Sequence, residues 1–359
     1  MTISEQQSQA FKEFERTGWA RQAEHYDSLV GQMTQQAVDA LLAAINVRSG
    51  AKLLDVASGP GYVAAEAARR GAEAIGTDIA KDMVNEARRR FAGTKFEVAD
   101  AEHLHYADAS FDAVTCAFGM LHFPRPGKAV TEAYRVLRRN GRFAFSVWCG
   151  PAKAKVLALI AESVQQHADG SVAPPAGPGL FALSDPWILT ALMEAASFTD
   201  VRIDELPCFY APAAPSGLFD MMRKSMVRAT YVYEALLLAQ KSGRMARSAA
   251  RTILQPRRPV KNGTRARIND SDSRRRMRGR VPPARGALSS VRDYNPNGRR
   301  RSRIAPRLRA TPKARPKATP CSSQGHASSA LTIFSVRRAY PVRAVLSISS
   351  GVASCMFSP

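Results

Sequence analysis

The chain has 359 residues, 45% of them hydrophobic, and its 52 Lys and Arg against 30 Asp and Glu give a formal net charge of +22. So basic a balance ordinarily implies polyanionic partners, but residues 1–240 hold 24 basic and 27 acidic side chains, whereas residues 241–359 hold 28 and 3. The excess positive charge therefore sits in the C-terminal third, and the bulk value excludes nothing about the rest. Five scattered cysteines, Cys116, Cys149, Cys208, Cys321 and Cys355, form no C-x-x-C pair, which excludes a disulfide framework and a zinc site of ordinary spacing. The polar amino terminus lacks the apolar core of a signal peptide and no run of 18 apolar residues occurs, so the chain reads as cytoplasmic without a membrane span.

Residues 1–14 read as a flexible N-terminus. From Lys52 onward, short apolar runs alternate with helical patterns, the signature of a Rossmann-like, doubly wound α/β sheet within a domain over 15–240. A strand over 52–56 enters a glycine turn and a helix over 63–70. A strand over 72–77 follows, then a helix over 81–91 and a strand over 95–98. The fourth strand, 111–118, leads to a helix over 126–137 stopped at Asn140-Gly141, and to a fifth strand over 142–148. The Pro/Gly stretch 173–179 reads as a loop or lid, 185–196 as a helix, 201–209 as a sixth strand and 225–240 as a last helix.

No seventh strand follows directly. The apolar runs 331–336 and 345–350 could serve only across a connection of roughly ninety residues, far beyond ordinary loop lengths. The sheet is thus expected to lack an edge strand, and 241–359 to be a basic, Arg/Pro/Ser-rich tail of low order. Runs such as Arg274-Arg275-Arg276 cannot bury enough apolar surface to offset ~1–2 kcal/mol of ordering entropy per residue. The same composition arises when GC-rich DNA is translated out of frame.

Leu53-Leu54-Asp55-Val56-Ala57-Ser58-Gly59-Pro60-Gly61 is a strand entering a turn that opens a helix, and Gly59 and Gly61 would let a ligand approach the helix N-terminus. Gly59-x-Gly61-x-x-Ala64, with Asp78 downstream, also satisfies the dinucleotide fingerprint, so an NAD-type dehydrogenase competes. Asp55 favours a different ligand. A carboxylate at the first strand's tip repels a pyrophosphate but attracts the ammonium and sulfonium of S-adenosyl-L-methionine. Asp78, expected as an exposed strand-end acid, can accept hydrogen bonds from both ribose hydroxyls. Asp100, just past the third strand, can accept one from an adenine amino group.

The ordered set Asp55…Gly59-x-Gly61, Asp78, Asp100-Ala101, Phe111-Asp112 and Arg135-Val136-Leu137-Arg138-Arg139-Asn140-Gly141-Arg142 resembles the class I S-adenosylmethionine-dependent methyltransferases. Within them the chain is similar to the ubiquinone/menaquinone-biosynthesis C-methyltransferases, over roughly residues 15–233. The resemblance implies that Asp55, Gly59 and Gly61 hold the methionine part of the cofactor, Asp78 the ribose, and Asp100 and Ala101 the adenine. Ile79 and Met83 would sandwich the adenine ring, the Phe118-Gly119 backbone would border the methionine carboxylate, and Tyr26 would cover the cofactor from an N-terminal helix. Ala57 departs from the family by replacing the first of three glycines.

A sulfonium is already an activated methyl donor, so catalysis needs alignment and exclusion of water more than chemistry from the protein. If the acceptor must lose a proton, His122 is the candidate base, since it follows the fourth strand at the sheet's carboxyl edge. His25 is a weaker second. His103-x-His105 lacks a third metal ligand. The acceptor is expected to be a small hydrophobic or aromatic molecule meeting the segment 150–181. Nucleic acid is not the expected partner. The alternative is an inactive methyltransferase-like domain whose basic tail binds nucleic acid, for which the clustered arginines are the only support.

Overall fold

Leu53-Leu54-Asp55-Val56 is apolar on both faces apart from one acid, as a central parallel strand must be when helices cover both sides. In the computed structural model it is β1 (Lys52–Val56), at the middle of a seven-stranded sheet. The structure describes residues 3–167, 172–212, 214, 216–241 and 327–338. All belong to one compact unit, Met1–Arg257 with Ser323–Pro359, while a second, Arg258–Ser322, lies outside the described residues.

The strands are β1, β2 (Glu73–Asp78), β3 (Lys95–Val98), β4 (Phe111–Ala117), β5 (Leu137–Trp148), β6 (Phe198–Tyr210) and β7 (Ala327–Arg338), in the order β3-β2-β1-β4-β5-β7-β6. The helices are α1 (Glu5–Tyr26), α2 (Gly31–Thr34), α3 (Val38–Ala44), α4 (Tyr62–Arg69), α5 (Lys81–Arg90), α6 (Pro126–Val136), α7 (Lys155–His167), α8 (Pro186–Ala195), α9 (Gly217–Ser225) and α10 (Val227–Lys241). Side chains alternate across the sheet: Leu53 packs with Met33, Leu41 and Val63 on one face, and Leu54 with Val130, Val136 and Leu189 on the other. The strand order reverses direction between β1 and β4, and the carboxyl ends on either side of that switch point open the crevice where such folds bind ligands.

Three expectations are corrected. Residues 5–14 are not a flexible leader but the first half of α1, begun by a capping box between Ser4 and Gln7 and anchored by the buried Phe11. Asn140-Gly141 does not stop a helix: α6 ends at Val136, and Asn140, at φ 61°, lies in a bulge inside β5 where the register to β4 jumps from Phe111↔Leu137 to Ala113↔Arg142. The sheet does not lack its seventh strand. The run 331–336 forms the centre of β7, antiparallel to both β5 and β6, with Phe334 opposite Phe145 and Ile203. Lys241 belongs to α10, while residues 242–326 and 339–359, which hold the arginine runs and the apolar run 345–350, lie outside the described residues. No helix among the described residues is long and apolar enough to cross a membrane.

Phe334 is fully buried and stacks on Phe145 with centroids 5.1 Å apart and planes 4° from parallel. Phe334→Ala should therefore cost about 3–5 kcal/mol, the range for a large aromatic lost from a core, measured as a lowered denaturant midpoint. A loss below about 1 kcal/mol would mean that β7 does not complete this sheet in solution.

Candidate functional site

β1 ends in a turn that the chain can make only under strain. Ala57 has φ 53° and Phe118, at the matching end of β4, has φ 57°, both in the left-handed region that costs a non-glycine residue about 1–2 kcal/mol. The Ala57 methyl fits because residue 119 has no side chain: a Cβ on Gly119 would stand 2.6 Å from Ala57 Cβ. Phe118 is held by its N–H donating to Ser146 Oγ at 3.1 Å and by its ring against Trp148, centroids 4.2 Å apart.

These turns form the floor of a cavity of about 340 Å³. Of the residues expected to hold a cofactor, Gly59, Asp78, Ile79 and Met83 line it on one side and Asp100 and Ala101 on the next, with Phe118 beneath and Tyr26 above. Gly59, at φ 51°, has nothing within 4 Å of where a Cβ would stand, so its backbone faces the space directly. Gly61 does not line the cavity. A Cβ there would lie 2.6 Å from Phe96 Cζ and 3.1 Å from Ala87 Cβ, so this glycine serves the packing of the turn on β3 and α5.

Asp55 is also off the cavity wall. It is 0% exposed, its Oδ1 accepts from Thr115 Oγ1 across the β1–β4 pair at 2.9 Å, and its Oδ2 has no protein partner. Burial, with Asp78 adding like-charge repulsion, pushes its carboxyl up to about 7. Asp78 departs from the expected exposed acid, being 8% exposed. Its Oδ2 accepts from Gly59 N at 2.9 Å and its Oδ1 from Ala80 N at 2.9 Å, so it ties the glycine turn to the start of α5. Burial raises its carboxyl too, against the pull of those backbone donors.

The roof comes from α1. Its residues Phe11, Glu15, Trp19 and Tyr26 recur at helical spacing on the inner face. The half-buried Tyr26 shares a hydrogen bond with Thr34 Oγ1 at 3.1 Å, and burial pushes its phenol up to about 12. Lys12 reaches Asp100 at 2.6 Å and Glu102 at 3.3 Å, so the acid expected to meet an adenine amino group already holds an ammonium. Glu102 accepts from the Arg125 backbone at 2.7 Å, and Arg125 also pairs with Glu5.

His122, in the 3₁₀ turn Met120–His122 after β4, lines the cavity with Nδ1 2.9 Å from Glu15 Oε2 and its ring edge-on to Trp19 at 5.0 Å. Glu15 also accepts from Arg228 Nε of α10 at 2.8 Å. Beyond His122 the walls are apolar: Trp148 at the end of β5, Leu157, Ile160 and Val164 on α7, and Leu180. Sequence patterns missed Glu15, Lys12, Trp148 and Arg228 as site residues. A glutamate within the apolar stripe of α1 was the available signal for the first. His25 is exposed, and His105 lies 3.3 Å from Glu97.

Residues 54–145 match the family described as a methyltransferase domain. The demethylmenaquinone methyltransferase of Deinococcus radiodurans is 35% identical over 163 residues, covering 41% of this chain and 67% of that protein. The ubiquinone/menaquinone biosynthesis C-methyltransferase UbiE of Rhizobium etli is 44% identical over 115 residues, covering 29% and 45%. The chain spans about half the length of the first of the curated relatives it matches. The solved YcgJ protein of Bacillus subtilis superposes with a TM-score of 0.40 at 23% identity, covering 60% of this chain and 87% of that one. An antiparallel strand between β5 and β6 departs from the dinucleotide-binding order 3-2-1-4-5-6, and the dehydrogenase alternative gains no support. With a glycine turn at the switch point and relatives of this kind, the chain belongs to the class I S-adenosylmethionine-dependent methyltransferases. Within that class it resembles the ubiquinone/menaquinone-biosynthesis C-methyltransferases.

Asp55 sets the stability of the ligand-free protein against pH. Its carboxyl is near 3.8 unfolded and about 7 folded, so between these values the folded chain keeps a proton the unfolded chain has lost. Stability from this group is highest below pH ~4 and falls by at most about 4 kcal/mol as pH rises to 7. Asp55→Asn should therefore melt higher than the parent at pH 8, the gap narrowing toward pH 5. A gap independent of pH would rule out the buried charge as its cause.

Proposed function

We propose that this domain transfers a methyl group from S-adenosyl-L-methionine to a small hydrophobic or aromatic acceptor in the cytoplasm. The observation that supports this best is the mixed lining of one cavity, which brings Gly59, Asp78 and Asp100 together with the apolar Trp148, Leu157, Ile160 and Leu180 and with His122. The residues present fit the cofactor. Gly59 leaves backbone open to a ligand, and the Asp55 carboxyl beneath the turn, raised by burial to about 7, is held ionised most readily when a cation binds above it.

When bound, the cofactor supplies a methyl group already activated on a sulfonium. The chain has to orient it, exclude water and take up a proton. In this reading Asp78 adds ribose hydroxyls to its two backbone donors, Ile79, Met83 and Ala101 enclose the adenine, and Asp100 shares its carboxylate between Lys12 and the adenine amino group. The Phe118-Gly119 backbone borders the methionine carboxylate, Tyr26 closes the roof, and His122 is the base. The relatives named for demethylmenaquinone suggest a quinol-like ring as acceptor, and an apolar wall suits one. The buried free thiols of Cys116, Cys149 and Cys208 accord with a reducing compartment.

Isothermal titration of the full chain should give saturable heat with S-adenosylhomocysteine and none with NADH; the reverse pattern would overturn the proposal. Asp78→Ala should weaken S-adenosylhomocysteine roughly ten- to a hundredfold, as charge-assisted contacts worth about 1.5–3 kcal/mol are lost. Because Gly59 and Ala80 also lose their acceptor, the ligand-free midpoint should fall as well, by about 1–3 kcal/mol. Normal binding combined with early melting would confine Asp78 to the fold.

A further inference from the structure

We infer that Glu15 is the positioning residue that fixes the tautomer of His122, and that the acceptor is a molecule that gives up a proton from oxygen or from an acidic carbon as it is methylated. The inference rests on the cavity being the methyl-transfer site. Glu15 is 2% exposed on the inner face of α1, a position where an acid survives only if it is paired. Burial alone would raise its carboxyl, but the hydrogen-bonding and electrostatic pull of His122 and Arg228 brings it below the ordinary carboxylate range. It is therefore an ionised group that can only accept hydrogen bonds.

Its two oxygens are divided between two partners. Oε1 takes Arg228 Nε at 2.8 Å and Oε2 faces His122 Nδ1 at 2.9 Å. A neutral imidazole carries one N–H, and beside a carboxylate that proton belongs on Nδ1, leaving Nε2 bare as the basic nitrogen. Arg228 is held in place at Oε1 because its terminal nitrogens donate to the carbonyls of Leu121, at 2.8 Å, and Pro178. Trp19, edge-on at 5.0 Å, holds the ring plane. The walls beside it, Trp148, Leu157 and Ile160, carry no proton acceptor.

That arrangement selects the acceptor's chemistry. A proton leaves the acceptor's O–H or C–H for Nε2, the pair it leaves behind forms the new bond to the methyl carbon, and the old carbon–sulfur pair stays on sulfur. The imidazolium that results faces the Glu15 carboxylate. A neutral amine needs no such base for attack, and an ammonium is badly placed against an apolar wall. A phenol, an enol or a hydroquinone needs the base and suits the wall.

Glu15→Gln tests this with a readout that does not depend on turnover. Arg228 Nε only donates, so the glutamine oxygen must face it and the amide N–H must face His122. Nδ1 then has to accept, and the proton moves to Nε2. Long-range 1H–15N spectra of histidine-labelled full chain, followed through a rising pH series until the His122 ring carries a single N–H, should show Nδ1–H in the parent and Nε2–H in the variant. Turnover of a hydroquinone or phenol probe should fall by about 10²–10⁴ in kcat, the scale seen when the acid that orients a catalytic histidine becomes an amide. KM and S-adenosylhomocysteine affinity should stay within about twofold.

An Nε2–H tautomer in the parent overturns the inference, and this measurement stands even if the variant does not fold. A variant that keeps Nδ1–H yet loses turnover overturns it as well. A tautomer switch with unchanged kcat overturns the proton-acceptor role. Failure of the parent to bind S-adenosylhomocysteine would instead defeat the underlying reading of the cavity.

Discussion

α1 pairs with no strand, so side-chain contacts keep it across the carboxyl ends of the sheet, and the Glu15 carboxylate joins two of them at a buried position. Arg228 brings α10 to it, His122 brings the turn after β4, and the remaining Arg228 donors gather the Leu121 and Pro178 carbonyls. The guanidinium also lies over the Phe11 ring, 4.9 Å from its centroid, which closes the cluster on α1 itself. Nearer the other end of the helix, Gln22 donates to Thr230 on α10 at 2.9 Å. Removing one member of a buried pair typically costs about 3–5 kcal/mol, because the other charge stays buried. The cavity has a roof because this carboxylate is paired twice.

The floor depends on a different economy. β7 lies between β5 and β6, so without it β6 would have no neighbour among the described strands. The long stretch between Lys241 and Ala327 makes that pairing look improbable by ordinary loop lengths, yet length is thermodynamically cheap. Closing a loop tenfold longer than usual adds only about 2 kcal/mol. Burying Leu331, Ile333, Phe334 and Val336 returns about 1.5–3 kcal/mol for each.

What was legible in the sequence follows the same division. Gly59, the acids Asp78 and Asp100, and Tyr26 of α1, each marked by its own neighbours along the chain, do line the cavity. Gly61 and Asp55 carry those marks too, yet their sites face Phe96 and Thr115, and no local pattern separates a glycine that faces a ligand from one that faces a ring. The cluster of Glu15, His122 and Arg228 was invisible as a cluster, since each pair is more than a hundred positions apart and only the folded sheet brings them together. Asp78 shows the limit most clearly. Its position named the residue, but whether its carboxylate was free or already holding the backbone could be seen only in the fold.

Glu15 and Asp78 on the cavity wall and Asp55 beneath it are all buried, and their differing ionisation is set by what each has for a partner. Glu15 faces the Arg228 guanidinium and the His122 ring and lies below the usual range, whereas Asp55 and Asp78 are hydrogen-bonded by hydroxyl and backbone donors and burial raises both. Folding therefore leaves negative charge under-compensated beneath the glycine turn and fully compensated at the roof. A cation bound above the glycine turn favours the ionised forms of Asp55 and Asp78, so its binding is linked to release of protons, for Asp55 near pH 7. Glu15 takes no part in that exchange, because its charge is already matched. The two acids nearest the glycine turn thus favour a positive ligand, Glu15 holds an imidazole in a single tautomer, and the two ends communicate through the pull of His122 on Asp78.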